Sequence, residues 1–105
     1  MPLTRSFKET VQARAQRDRA FREALLTEAV DALLNGDLDT GKVVLRDYIN
    51  ATVGFERLAA ATGTPAKSLM RMLGPRGNPN ARNLCTVLAQ LQAMSGVHLQ
   101  IHARR

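Results

Sequence analysis

The sequence predicts an all-α protein of five helices, with a long helical extension at the N-terminal end and a short strand at the C-terminal end. Apolar residues recur every three or four positions along most of the chain, which is the period of an α-helix. Glycine, proline and capping residues divide these stretches into separate helices. The chain has 105 residues, about the size of one ordinary domain.

The first predicted helix covers 7–34. Its apolar stripe falls at four-residue spacing, at Phe21, Leu25, Ala29 and Leu33. Asp18 could cap a second helix, so this segment is either one helix or two helices with a break near 17–18. Gly36 suits the left-handed backbone that ends a helix. We therefore treat 1–35 as a helical extension.

Four shorter helices are predicted after this extension, at about 40–51, 54–62, 65–73 and 81–95. Asp39 is expected to open the first of them and Asn80 to cap the last. Thr64 is expected to cap the third, with Pro65 at its first position, where the missing amide hydrogen costs nothing. Glycine follows three of these helices, at Gly63, Gly74 and Gly96.

The last predicted element is a strand over 97–102, because Val97, Leu99 and Ile101 alternate with polar residues. A lone strand in a helical protein leaves unpaired backbone groups and an apolar face. We therefore predict a homodimer in which these three residues pair with those of a second copy. The alternative is that this segment docks on the last helix of its own chain.

Charge divides the sequence into two unequal parts. Residues 57–105 contain seven Lys or Arg and no Asp or Glu, whereas residues 1–56 contain all nine acidic residues beside eight basic ones. Because protein surfaces usually mix both signs, the C-terminal part is predicted to face a polyanion. The alternative is a basic, solvated surface with no partner.

The candidate motifs for catalysis, metal binding and cofactor binding each lack a required residue or spacing. Residues 36–42 have the spacing of a phosphate-binding loop, but Val43 replaces the Ser or Thr that would hold magnesium. His98 and His102 would lie about 13 Å apart on a strand, too far to share a metal ion. The single cysteine, Cys85, is interpreted as half-buried and structural. We expect no catalytic residue, metal, cofactor or small-molecule substrate, no membrane association, and a cytoplasmic location.

The segment 55–73 has the pattern of two short helices joined by a tight turn. Ala59 provides a small residue where the helices cross, and Gly63 permits the turn. The angle between the helices is filled by three apolar side chains, Leu58, Leu69 and Met72. This is the spacing of the DNA-binding helix-turn-helix, although an ordinary helical hairpin would share the alanine and the glycine. The charge pattern favours the DNA-binding interpretation.

Two stretches, LRDYINATVGF at 45–55 and SLMRMLGPRGNP at 68–79, resemble the addiction-module antidote proteins. These are HigA-like antitoxins with a Cro/Xre-type helix-turn-helix, and the resemblance covers about residues 24–102. It implies a Cro/repressor-like DNA-binding domain over 36–105, with 56–73 as its core motif. It also implies an autoregulatory dimer whose partner is a RelE-like ribonuclease toxin.

The second helix of such a motif lies in the major groove, and its residues that are not used for packing face the DNA. Five of them are predicted to contact DNA: Ala66, Lys67, Ser68, Met70 and Arg71. Arg71 and Lys67 have the donors that recognise guanine, while Met70 is alternatively a core residue. Contacts to the DNA backbone are predicted for five others: Thr52, Arg57, Arg76, Asn78 and Asn80.

The predicted function is a sequence-specific transcriptional regulator that binds a palindromic operator in double-stranded DNA as a dimer. The more specific prediction is the autorepressing antitoxin of a type II toxin–antitoxin pair, with Phe21 and Leu25 binding the toxin. Two alternatives stay open. One is a phage-type repressor without a toxin, and the other is a protein-interaction module that uses the helix-turn-helix only as scaffold.

Overall fold

The computed structural model describes residues 5–104, with side chains from residue 10 onward. Its helices are α1 Arg5–Arg17, α2 Arg19–Leu34, α3 Leu38–Ala51, α4 Phe55–Thr62, α5 Ala66–Met72 and α6 Ala81–Ser95. The all-helical prediction is confirmed for this part of the chain, but the prediction of five helices and a strand is wrong, since the described residues form six helices and no strand. None of these helices is long and apolar enough to cross a membrane.

The sixth helix arises because the N-terminal segment breaks at Asp18. The backbone of Asp18 is extended (φ −119°), and its carboxylate accepts a hydrogen bond from the Phe21 amide at 3.2 Å. This bond satisfies one of the amides that have no partner at the start of a helix. Of the two alternatives for 7–34, two helices is therefore correct.

One hydrophobic core joins α2 through α6. Its fully buried large side chains are Leu26, Leu45, Tyr48, Ile49, Leu58, Leu69, Leu73, Val87, Leu91 and Val97. Helix α2 lies directly on α3, because a side chain at Gly41 would overlap Leu33. Helix α2 therefore shares one core with the helix-turn-helix segment.

Two predicted helix starts are wrong. Asp37, not Asp39, caps α3, because its carboxylate accepts from the Thr40 amide at 3.1 Å. Pro65 occupies the capping position of α5 rather than its first turn, and no side chain caps that helix. Thr64 therefore has no capping role.

The C-terminal tail, residues 97–104, folds back on α6 instead of forming a strand. Gly96 has a left-handed backbone (φ 72°) that reverses the chain direction. The amides of Val97 and Leu99 then bond to the main-chain and side-chain oxygens of Gln92, at 3.2 and 2.9 Å. Val97 is fully buried in the core and Leu99 packs against it, whereas Ile101 is 74% exposed. The predicted strand is therefore wrong, and the alternative in which this segment docks on the last helix of its own chain is correct.

Candidate nucleic-acid interface

The turn between α4 and α5 is held by short local hydrogen bonds. Gly63 has a left-handed backbone (φ 72°), and its amide donates to the Ala59 carbonyl at 2.9 Å. The Thr62 hydroxyl donates to the Leu58 carbonyl at 2.9 Å and accepts from the Thr64 amide at 3.3 Å. The amides of Gly63 and Thr64 are thus satisfied within the motif, which helps to hold the turn from which α5 begins.

Helix α5 has one buried side and one exposed side. Leu69 is 2% exposed and belongs to the same core cluster as Leu58 of α4, and Ala66 also packs against this cluster. The opposite side carries four exposed residues, Lys67, Ser68, Met70 and Arg71. Because Met70 is 47% exposed, it is not one of the core residues.

The loop that follows α5, residues 73–80, is compact. The Gly74 amide donates to the Arg71 carbonyl at 3.1 Å, and the Gly77 amide donates to the Gly74 carbonyl at 3.0 Å. A side chain at Gly77 would overlap the carbonyl oxygens of Arg71 and Met72, so the loop lies directly against the end of α5. Arg76 and Asn78 are exposed on this loop.

Lys42 of α3 holds the same loop from inside the protein. Its side chain is buried, and its Nζ donates to the carbonyls of Gly74 at 3.0 Å and Gly77 at 2.7 Å. The Asp39 carboxylate lies 3.6 Å from the same Nζ. Sequence reasoning did not assign this role to Lys42. The available signal was its helical phase, since Leu45 follows it at a spacing that shares the buried face.

Two residues that are predicted to contact phosphate, Thr52 and Asn80, use part of their hydrogen-bonding capacity within the protein. The Thr52 hydroxyl donates its hydrogen to the Tyr48 carbonyl at 2.6 Å. The Asn80 side-chain oxygen caps α6 by accepting from the Asn83 amide at 2.8 Å, which leaves its amino group as a donor. Arg57 is exposed on α4.

The start of α4 has features that both attract and repel phosphate. Gly54 precedes this helix and provides no side-chain cap, so the first amides of α4 are not engaged by a capping side chain. Such amides favour an anion. Glu56, however, places an exposed carboxylate in the same first turn. An approaching phosphate would therefore be repelled by Glu56.

One exposed cation near this surface was missing from the predicted contacts. Arg82 lies in the first turn of α6, just after the 73–80 loop, and is exposed. No Asp or Glu occurs between Arg57 and Arg104 in the sequence. The cations of this half therefore have no carboxylate within their own segment.

The two predicted toxin-binding residues make contacts inside the chain. Leu25 is half-buried and packs against the core. The Arg14 guanidinium lies over the ring of Phe21, with its carbon 5.0 Å from the ring centre. Both side chains are thus partly covered by the protein itself, and a variant of either is expected to lose some stability.

The arrangement presents positive charge and hydrogen-bond donors to solvent. Its exposed groups are cations, amides and a hydroxyl, and Cys85 is exposed instead of half-buried as interpreted from the sequence. Within residues 10–104 no three His, Cys, Asp or Glu side chains lie together as a metal site would require. Comparison of the chain with protein-family models, curated proteins and solved structures finds no match.

Proposed function

We propose that this protein is a sequence-specific DNA-binding transcriptional regulator that binds a palindromic operator as a homodimer. The observation that carries the proposal is the two-sided helix α5. Its inner side is anchored by Leu69, while its outer side exposes two cations, a hydroxyl and a thioether. A short helix with this arrangement after a tight turn has the form of a recognition helix.

Direct contacts to bases would come from the exposed side of α5. The Arg71 guanidinium can donate two parallel hydrogen bonds to O6 and N7 of a guanine, and Lys67 lies one turn earlier on the same helix. Ser68 can bond to a base or a phosphate, and Met70 offers apolar contact to a thymine methyl group. These four side chains would supply the sequence preference.

Contacts to the DNA backbone would come from the residues around α5. Arg76 and Asn78 on the 73–80 loop, together with Arg57, can bind phosphates without discriminating between sequences. Each phosphate that is neutralised releases counterions, so binding should weaken as salt rises. Helix α5 has only seven residues, and a pair of half-sites bound by a dimer supplies the contacts that one such helix lacks.

We extend the proposal to an autorepressing antitoxin of a type II pair, whose partner is a RelE-like toxin. This extension is supported by the resemblance of 45–55 and 68–79 to the addiction-module antidote proteins. An autorepressor binds DNA upstream of its own gene, which gives the first duplex to test.

The test compares Arg71→Ala with Arg76→Ala on that upstream duplex and on a scrambled duplex at several salt concentrations. Arg71→Ala should reduce the preference for one base pair in each half-site by about 1–3 kcal/mol. Arg76→Ala should weaken both duplexes alike and lower the salt slope by about one for each lost contact. Arg104→Ala, in the exposed tail, serves as the matched control. An unchanged operator-to-scrambled ratio in Arg71→Ala would contradict the assignment of α5 as the recognition helix.

The antitoxin extension has a separate test. The protein is co-expressed with the product of a small neighbouring open reading frame of RelE-like type, and the pair is purified through a tag on the toxin. Co-purification and rescue of growth are expected. DNA binding without co-purification would instead identify a regulator that has no toxin.

A further inference from the structure

We propose that Lys42 is a positioning residue for DNA binding, because its buried ammonium group holds the 73–80 loop so that Arg76 faces the DNA backbone. This inference rests on the proposed function. Lys42 itself is only 3% exposed and does not reach the surface. Its effect would therefore pass through the loop.

The ammonium group is hydrogen-bonded mainly to the loop. An ammonium has three N–H donors, and two of them point at the carbonyls of Gly74 and Gly77, at 3.0 and 2.7 Å. The third is available for the Asp39 carboxylate, whose Oδ1 lies 3.6 Å away. Burying an unpaired ammonium would be costly, so the contacts to the loop are what make this buried position tolerable.

The two carbonyl contacts determine which way the loop faces. Because the oxygens of Gly74 and Gly77 point toward α3, the two residues between them form the outer side of the turn. Both Pro75 and Arg76 are exposed. Lys42 thus holds the inner side of a turn whose outer side presents a guanidinium.

The loop also packs directly against the end of the proposed recognition helix. Gly77 lies so close to the end of α5 that a side chain there would overlap the carbonyl oxygens of Arg71 and Met72. Gly74 accepts from the Gly77 amide and from Lys42 through the same carbonyl oxygen. Lys42 therefore sets the position of Arg76, a phosphate-binding group, relative to Arg71, a base-contacting group.

The decisive experiment is a pair of double-mutant cycles built on Lys42→Met, which keeps the length of the side chain and removes its donors. Duplex affinity and its salt slope are measured for this variant, for Arg76→Ala and for the double variant. Lys42→Met should weaken operator and scrambled duplex alike by roughly tenfold, the size expected for losing a hydrogen bond to a charged group. In the double variant the affinity should be no lower than in Arg76→Ala alone, because both changes remove the same contact.

The matched control is the second cycle, with Arg57→Ala. Arg57 is an exposed cation on α4 and not on the loop. The losses from Lys42→Met and Arg57→Ala should multiply, because the two residues act on different contacts. If the losses multiply with Arg76→Ala as well, Lys42 does not act through Arg76 and the proposal is overturned.

Hydrogen exchange separates this inference from the proposed function. The Gly77 amide, bonded to the Gly74 carbonyl, should exchange at least about tenfold faster in Lys42→Met, since a loop that opens more often exposes its amides. The Gly96 amide, bonded to Gln92 on the far end of α6, should be unchanged. Unchanged Gly77 exchange would overturn the role of Lys42 even if the wild-type protein binds DNA. Failure of the wild-type protein to bind any duplex would overturn the proposed function, and the DNA role of Lys42 with it.

If Lys42→Met does not fold, as judged by its circular dichroism, Lys42→Gln replaces it in both cycles. The amide of Gln keeps a neutral polar group in the buried position but removes the ammonium that binds the two carbonyls. The same lack of additivity with Arg76→Ala is expected. Additive losses would again contradict the proposal.

Discussion

The segments that follow α5 and α6 are held in place in two different ways. After α5, the loop is held by a charged group from another helix, the Nζ of Lys42, and it keeps Arg76 on the surface. After α6, the tail is held by a neutral amide of the same helix, Gln92, and it places Val97 in the core. The first segment therefore presents a side chain to solvent, and the second completes the hydrophobic core.

This difference shows that hydrogen bonds to the backbone can hold a segment while its side chains stay exposed, whereas burial of an apolar side chain adds the segment to the core. The loop after α5 contributes the carbonyl oxygens of Gly74 and Gly77 to the interior and leaves the side chains of Pro75, Arg76 and Asn78 outside. The tail contributes a side chain to the interior, so its removal should cost stability directly. Four substitutions, two of them paired with a control substitution, test this contrast through their effects on the free energy of unfolding.

The largest effect is expected where α5 ends. Leu73 is fully buried there, so Leu73→Ala should lower the free energy of unfolding by about 2–5 kcal/mol. Met70→Ala, on the exposed side of the same helix, should change it by at most about 0.5 kcal/mol. Urea denaturation of the two variants makes the comparison. Equal losses of unfolding free energy in the two variants would mean that this segment does not have one buried and one exposed side.

Val97→Ala should have the next largest effect. Removing two methyl carbons from a fully buried valine should cost about 1.5 kcal/mol, at about 0.8 kcal/mol for each carbon. Ile101→Ala removes a larger group from a position that is 74% exposed and should cost less than about 0.5 kcal/mol. If Ile101→Ala is the more damaging change, the tail is covered by something other than α6.

Tyr48→Phe should lower the free energy of unfolding by about 1 kcal/mol, because it removes one hydrogen bond at the end of α6. The Ser95 hydroxyl donates to the Leu91 carbonyl at 2.5 Å, so the Tyr48 hydroxyl is the donor to Ser95, also at 2.5 Å. Thermal denaturation of the wild-type protein and the variant at neutral pH measures the difference.

The same variant tests a pH dependence. Burial raises the pKa of Tyr48 above its ordinary value of 10.0, although the Ser95 hydrogen bond opposes this shift. A group with a raised pKa in the folded protein contributes stability that is present below its unfolded pKa and is lost as pH rises through the folded value. The wild-type protein should therefore lose its advantage over Tyr48→Phe above about pH 10. A constant difference across that range would contradict the shift.

The smallest effect is expected for Arg19→Met. The Arg19 guanidinium donates to the Gly96 carbonyl at 2.9 Å, but this bond is exposed to solvent. The change should therefore cost no more than about 0.5 kcal/mol. A loss above about 1 kcal/mol would show that a surface cation holds the tail after all, as Lys42 holds the loop.

Several helix ends were predictable from the sequence because local residues decide them, although the predicted starts at Asp39 and Thr64 were wrong. Gly63 and Gly96 end helices as predicted, Gly36 has the predicted left-handed backbone (φ 80°), and Asp18 and Asn80 cap helices as expected. The path of the chain beyond the last helix was not predictable in the same way. An alternation of apolar and polar residues over 97–101 is compatible with a strand, but the amides of this segment find their partner in Gln92.

Prediction of the candidate site is limited in the same way, because contacts between distant parts of the chain are not visible in local sequence patterns. The exposed side of α5 follows from the helical phase of Leu69 and Leu73, so Lys67 and Arg71 could be placed outward from the sequence alone. The contacts of Lys42 could not, because the carbonyls that it meets lie 32 and 35 residues further along the chain. Thr52 was predicted to contact DNA, but its hydroxyl bonds to the carbonyl of Tyr48 four residues earlier, a local bond that Thr often makes in helices.

The hydrogen bonds of Lys42 also decide which residues of the loop can change during evolution. Its partners in the loop are main-chain oxygens, which every amino acid carries. Residues 75, 76 and 78 can therefore be exchanged without altering the groups that the ammonium binds. Under the proposed function, changes at these positions would alter the strength of backbone binding and leave the sequence preference of α5 unchanged, provided that glycine at 77 and lysine at 42 are kept.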